Sequence, residues 1–136
     1  MGGAQGPGGQ TIKLVTKGGK FKFIDHKPRA RSEEDASAGD QFLLSSPTFK
    51  AGKRVGRLNA ACTFTLGGKN GRGICDGAYS LGDGAIFISV TLRGESVSGA
   101  VVGGTGAYVG ARGTFKSVDR KNTKCDVSDD TITLLP

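Results

Sequence analysis

Residues 73–102 read GICDGAYSLGDGAIFISVTLRGESVSGAVV. In their middle, Ala85 to Leu92 sets Ile86, Ile88, Val90 and Leu92 on one face and Ala85 and Phe87 on the other, which is the two-residue period of a strand. Gly82-Asp83-Gly84 and Arg93-Gly94-Glu95 bound this stretch, and connections so short make neighbouring strands antiparallel. The same reading extends outward to strands at Thr11 to Asp25, Gln41 to Ser46, Val55 to Leu66, Gly73 to Leu81, Val97 to Val102, Gly110 to Val118 and Thr131 to Leu135, eight in all. The first is broken by Gly18-Gly19. Eight sequential antiparallel strands either close or leave edges that invite aggregation. Closed, they enclose an interior that side chains fill or that holds one small ligand. The expected fold is an all-β, eight-stranded antiparallel up-and-down barrel.

Composition agrees. The chain has 136 residues and 24 glycines, and an interior helical glycine costs about 1 kcal/mol, so a mainly helical protein is excluded. Residues 1–10 form a Gly-rich leader, expected to be flexible, and residues 11–136 a single barrel domain, long enough for one core. No apolar run approaches the roughly 18 residues of a membrane helix, and MGGAQGPGG at the start lacks the apolar centre of a secretory signal. A secreted chain that has lost its leader and a cytoplasmic one both remain open.

Nineteen Lys and Arg against twelve Asp and Glu give a net charge of +7, with seven bases between Lys13 and Arg31. Nucleic acid is the obvious question. The bases of the first strand alternate with Leu14, Phe21 and Phe23, and the acidic Glu33, Glu34 and Asp35 follow, so a wetted strand face is the better reading and no nucleic-acid partner is expected. Lys27 to Ala38 is charged and aperiodic, a candidate lid.

The cysteines depend on one turn. If Gly68-Lys69 is its centre, Cys62 lies directly across from Cys75 and a disulfide is feasible. If Asn70-Gly71 is the centre, Cys62 faces Tyr79 and both thiols are free. The pair lacks the CxxC spacing of a structural zinc site and His26 is the sole histidine, so no metal is expected. Cys125 is left over.

Gly99 to Phe115, GAVVGGTGAYVGARGTF, closely resembles the GGTGxYxGARG signature of the allene oxide cyclase and dirigent superfamily. SAGDQF at 37–42, VGRL at 55–58, CTFT at 62–65 and SDDTITLLP at 128–136 are similar to its bacterial branch. The resemblance implies an eight-stranded barrel, commonly a dimer or trimer, with an apolar pocket and no cofactor. In plant members that pocket closes an epoxide into a ring or steers phenol coupling. The glycines themselves need no ligand: Gly103, Gly104 and Gly106 allow a tight turn over which Tyr108 packs, and no helix follows to face a phosphate.

Asp25 shares a face with Phe21 and Phe23, and a carboxylate on an apolar face costs several kcal/mol unless paired, which is also how a proton-handling group is prepared. The resemblance implies the same residue, because FKFID at 21–25 is similar to the dirigent segment ending in a functional Asp. It also places the Arg of the dirigent Ala-Arg-Gly on Arg112. Asp25 as acid or base and Arg112 as electrostatic clamp therefore form the expected catalytic pair, under the Lys27 to Ala38 lid. Phe23, Cys62, Phe64, Tyr79 and Tyr108 are the expected pocket residues. Aligned with the plant cyclases, Phe23 replaces their Glu, Asp25 one Asn and Ser46 another, while Cys62 matches a pocket Cys. Two functions follow: a cofactor-free cyclase or isomerase acting on a reactive, hydrophobic natural-product type intermediate, or a non-catalytic dirigent-like or carrier barrel binding a hydrophobic metabolite. Apolar residues on both faces of Ala85 to Leu92 and Val97 to Val102 add the expectation of a homo-oligomer.

Overall fold

The computed structural model describes residues 9–25, 36–68, 70–93, 96–120 and 127–136. The first eight residues of the leader, nine residues of the lid segment, His26 and Cys125 lie outside the described residues. Nine strands are present: β1 Gln10–Lys17, β2 Lys20–Ile24, β3 Gln41–Lys50, β4 Lys53–Leu66, β5 Arg72–Leu81, β6 Gly84–Arg93, β7 Ser96–Gly104, β8 Gly113–Asp119 and β9 Val127–Leu134. The helical element among the described residues is a three-residue 3-10 turn, Gly106–Tyr108.

These nine strands make an eight-stranded closed barrel, because β1 and β2 are two halves of one broken strand. β1 pairs along its length with β9 and at Val15 and Thr16 with β3, while β2, among the described residues, pairs with β3 alone. Between Thr16↔Thr48 and Lys20↔Ser45, three residues of the first strand oppose two of β3. The extra residue is absorbed at Gly18, whose φ of 73° suits glycine. Pro47 sits opposite this break and has no N–H to give the ladder. The strand expected at Gln41 to Ser46 runs on through the proline to Lys50.

Closure is staggered. Following paired residues round the barrel from Lys13 through Thr131, Lys116, Ser98, Thr91, Ile74, Thr63 and Gln41 ends at Ile24, eleven residues further along the strand that began the circuit. That stagger tilts the strands and brings alternate side chains inward. Ile12, Leu14, Leu58, Ile86, Ile88, Val90, Val101, Phe115, Ile132 and Leu134 fill the core.

The register of the β4–β5 hairpin places Cys62 across from Cys75, their Cα atoms 4.0 Å apart, and a disulfide joins them. Closing a 13-residue separation stabilises the fold by about 2–3 kcal/mol on the chain-entropy account. A bulge between Phe64 and Leu66 puts Leu66 against Arg72. The β3–β4 turn is tighter: Ala51 and Gly52 both have positive φ, 50° and 82°, as a two-residue primed turn requires. Ala51 is a β-carbon residue in a left-handed conformation that costs about 1 kcal/mol. Ala51→Asn is therefore expected to raise the unfolding free energy by about 0.5–1 kcal/mol in urea denaturation; an unchanged or lower midpoint would contradict the turn.

Candidate functional site

Burial along the inward-facing positions changes from one end of the barrel to the other. Where β7 leads towards β8, the inward Ile12, Ile86, Val101, Ile132 and Leu134 are buried. Towards the opposite end, the inward Leu44, Phe42, Phe64, Leu92 and Val97 are half-buried and Phe21 is 50% exposed. One end is packed solid and the other is an open cup. Phe21, Phe42 and Phe64 form a continuous aromatic row across β2, β3 and β4, with ring centroids 5.2 and 5.9 Å apart. The Cys62–Cys75 disulfide, inward and buried, continues this wall.

Beneath the cup lies a polar floor. Asp130 is 1% exposed, and its Oδ2 accepts hydrogen bonds from Tyr79 Oη at 2.5 Å and Thr16 Oγ1 at 2.6 Å. Its Oδ1 accepts from Ser117 Oγ at 2.7 Å and Ser128 Oγ at 2.8 Å. Four donors fill the acceptor capacity of a carboxylate. No Lys, Arg or His is buried among the described residues, so hydroxyls alone compensate the charge. Tyr79 is fully buried; burial first, then the neighbouring charge of Asp130 and its hydrogen bond, hold the phenol well above its usual range, against a smaller lowering from Thr16. It is a protonated donor at every physiological pH. Ser117 and Ser128 are half-buried, on the cup side of the cluster. Thr48, paired with Thr16, is fully buried and its Oγ1 has no partner among the described residues.

The adjacent Asp129 shows what strand parity decides. It points outward, its oxygens bonded at 2.9 and 3.0 Å to Arg120, which holds its carboxyl below the usual range against a smaller desolvation effect. One residue on, Asp130 is sealed inside. Among the described residues, no group of three His, Cys, Asp or Glu could hold a metal ion.

Searches of family models and of curated proteins return no match. Solved structures do match over nearly the whole chain. A pyocyanin demethylase is 23% identical with a TM-score of 0.78, covering 92% of this chain and 99% of its own. The exo-specific intermolecular Diels-Alderase AbnU is 12% identical, TM-score 0.70, covering 93% and 97%. The pterocarpan synthase dirigent protein PsPTS1 is 16% identical, TM-score 0.63, covering 93% and 94%. The likeness is one of fold: this chain shares the barrel of these three proteins.

In this barrel the expected site residues part company. Phe23, Cys62 and Phe64 belong to the open end, and Asp25 follows β2 at its rim, partly buried. Arg112 precedes β8 at the packed end, exposed, where its carbonyl accepts from Leu135 N. A strand of seven to fourteen residues at about 3.3 Å each separates the two ends, so the fold sets Asp25 and Arg112 at opposite ends of the barrel. Tyr108 is also at the packed end, in the 3-10 turn, partly buried with Asp83 beside it; a Cβ on Gly104 would stand 2.8 Å from its own. Tyr79 does face the interior, with its hydroxyl at the floor and not at the rim.

Sequence reading missed Asp130. The last strand was expected from Thr131, which left Ser128 and Asp130 outside it; the observed start at Val127 puts both on the inward face with Ile132 and Leu134. The signal was available in the alternation of SDDTITLL, in which Ser128, Asp130, Ile132 and Leu134 share parity.

Two measurements check the floor. Thr48→Val removes an unsatisfied buried hydroxyl at constant shape and is expected to stabilise the protein by about 1 kcal/mol, read from the urea midpoint. In alkaline titration at 295 nm, Tyr79 is expected to ionise only when the barrel unfolds. Because its folded pKa is raised, its contribution to stability is complete below about pH 10 and lost as pH rises beyond it, and Tyr79→Phe should remove that part of the alkaline loss.

Proposed function

We propose that this protein is a cofactor-free cyclase or isomerase that folds a reactive, hydrophobic small molecule in the open end of the barrel. The observation that carries the reading is the Tyr79–Asp130 pair with its ring of hydroxyls. A carboxylate buried without a cation costs stability that an apolar residue would not, and such costs concentrate at functional sites. The apolar wall holds the substrate near its reactive shape, a task to which proximity contributes several kcal/mol. Tyr79 presents a fixed phenol dipole beneath it, and Asp25 at the rim is the group placed to exchange a proton with water. The Diels-Alderase named among the structural neighbours lends support to ring closure as the reaction.

A carrier is the second reading, favoured by the commitment of every cluster hydroxyl proton to Asp130. One experiment separates the two. A linear compound carrying a conjugated diene and an enone is incubated with the protein and ring closure is followed. Asp25→Asn is expected to lower turnover per folded molecule by about 100-fold, and Tyr79→Phe to lower it as well, with a melting temperature lower by a few degrees from the lost hydrogen bond. If neither Tyr79→Phe nor Asp25→Asn changes turnover per folded molecule, catalysis by these groups is wrong; binding without any ring closure makes the barrel a carrier. Self-association belongs to the same proposal, with exposed Phe87 and Val102 on neighbouring β6 and β7 as the apolar outer patch; light scattering at about 14 kDa would remove it.

A further inference from the structure

We propose that the open cup selects an organic cation, a ligand or reaction intermediate whose positive charge is spread over an aromatic ring or conjugated chain. The inference rests on reading the open end as the ligand pocket and names the chemical class that the pocket takes.

Three observations converge on it. First, Asp130 is an anion inside an apolar barrel whose partners are all neutral hydroxyls; no cation touches it among the described residues. Hydroxyl dipoles satisfy its lone pairs without cancelling its charge, so a negative potential extends from the floor towards the cup. Second, the wall above it is the row Phe21, Phe42 and Phe64. The face of each ring is the negative end of a quadrupole, and such faces attract delocalised cations within about 6 Å. Third, Thr48 Oγ1 lies buried without a partner among the described residues, cross-strand from Thr16, which belongs to the cluster. An unmade hydrogen bond in the free protein is a cost that a polar atom of the bound molecule, reached by rotation of the Thr48 side chain, repays. A neutral hydrocarbon would use none of these features. An anion would be repelled by the first two.

The protein's own charge sharpens the test. At +7 overall, non-specific attraction favours anions, so preference for a cation cannot arise from the outer surface. N-methylquinolinium and neutral quinoline have nearly the same shape, and at pH 8 only the first is charged. Calorimetric titration of the whole protein with each is expected to show the cation binding at least ten-fold more tightly. In Asp130→Asn the ratio should fall to near one. Should that variant fail to fold, Phe42→Leu leaves the hydroxyl cluster in place and is expected to weaken the cation several-fold more than the neutral ring. Quinoline binding as tightly as N-methylquinolinium, or a ratio unchanged by Phe42→Leu, overturns the charge selectivity and leaves the pocket standing. Binding of neither probe overturns both.

Discussion

Everything in this barrel depends on the first strand pairing on both sides. Without β1 against β9 and β1–β2 against β3 there would be an open sheet with two edges, and the inward faces would have nothing to enclose. One straight strand cannot satisfy both neighbours across so steep a stagger. The break at Gly18-Gly19 re-aims it, and Pro47 gives up its ladder bond where the break falls. The bulge therefore acts as the hinge of the closure, in the sense of geometry and not of motion.

Closure also sets where chemistry can occur. The strands are tilted and staggered, and among the described residues the inward side chains at the open ends of β2, β3 and β4 are less covered than those at the packed end. Phe21, Phe42 and Phe64 are half-wetted, whereas the same parity at the packed end gives Ile86 and Ile132 no exposure at all. A polar layer between the two zones is the costly part of the design. It is tolerable because three short hydroxyl side chains and the Tyr79 phenol converge on one carboxylate, each in a strand whose register is fixed by the apolar residues around it.

The fold was legible because Ile86, Ile88, Val90 and Leu92 alternate and glycine turns punctuate the strands; no tertiary information was needed to count eight of them. The Cys62–Cys75 juxtaposition was legible as one of two registers, decided by where the glycine turn centres. What was not legible concerns axial position. Parity assigns a side chain to the inside or outside but says nothing of height in the barrel, so Asp25 and Arg112, near in an imagined mouth, stand at opposite ends. Asp130 escaped for a more local reason: a polar Ser-Asp-Asp run carries no apolar alternation of its own, and it is drawn into a strand by its neighbours β8 and β1, the latter more than a hundred residues earlier in the chain.

That separation has a kinetic meaning. The hairpins from β3 to β8 join residues close in sequence and can form early, and the Cys62–Cys75 link restrains only one of them. Pairing Gln10 with Leu134 spans nearly the whole chain, and the entropy of closing so long a loop is met only when the seam is made. Asp130 lies on that seam, beside Leu14. Its partners come from β1, β5, β8 and β9, so the carboxylate remains in water through most of folding and loses its hydration in the step that seals the barrel.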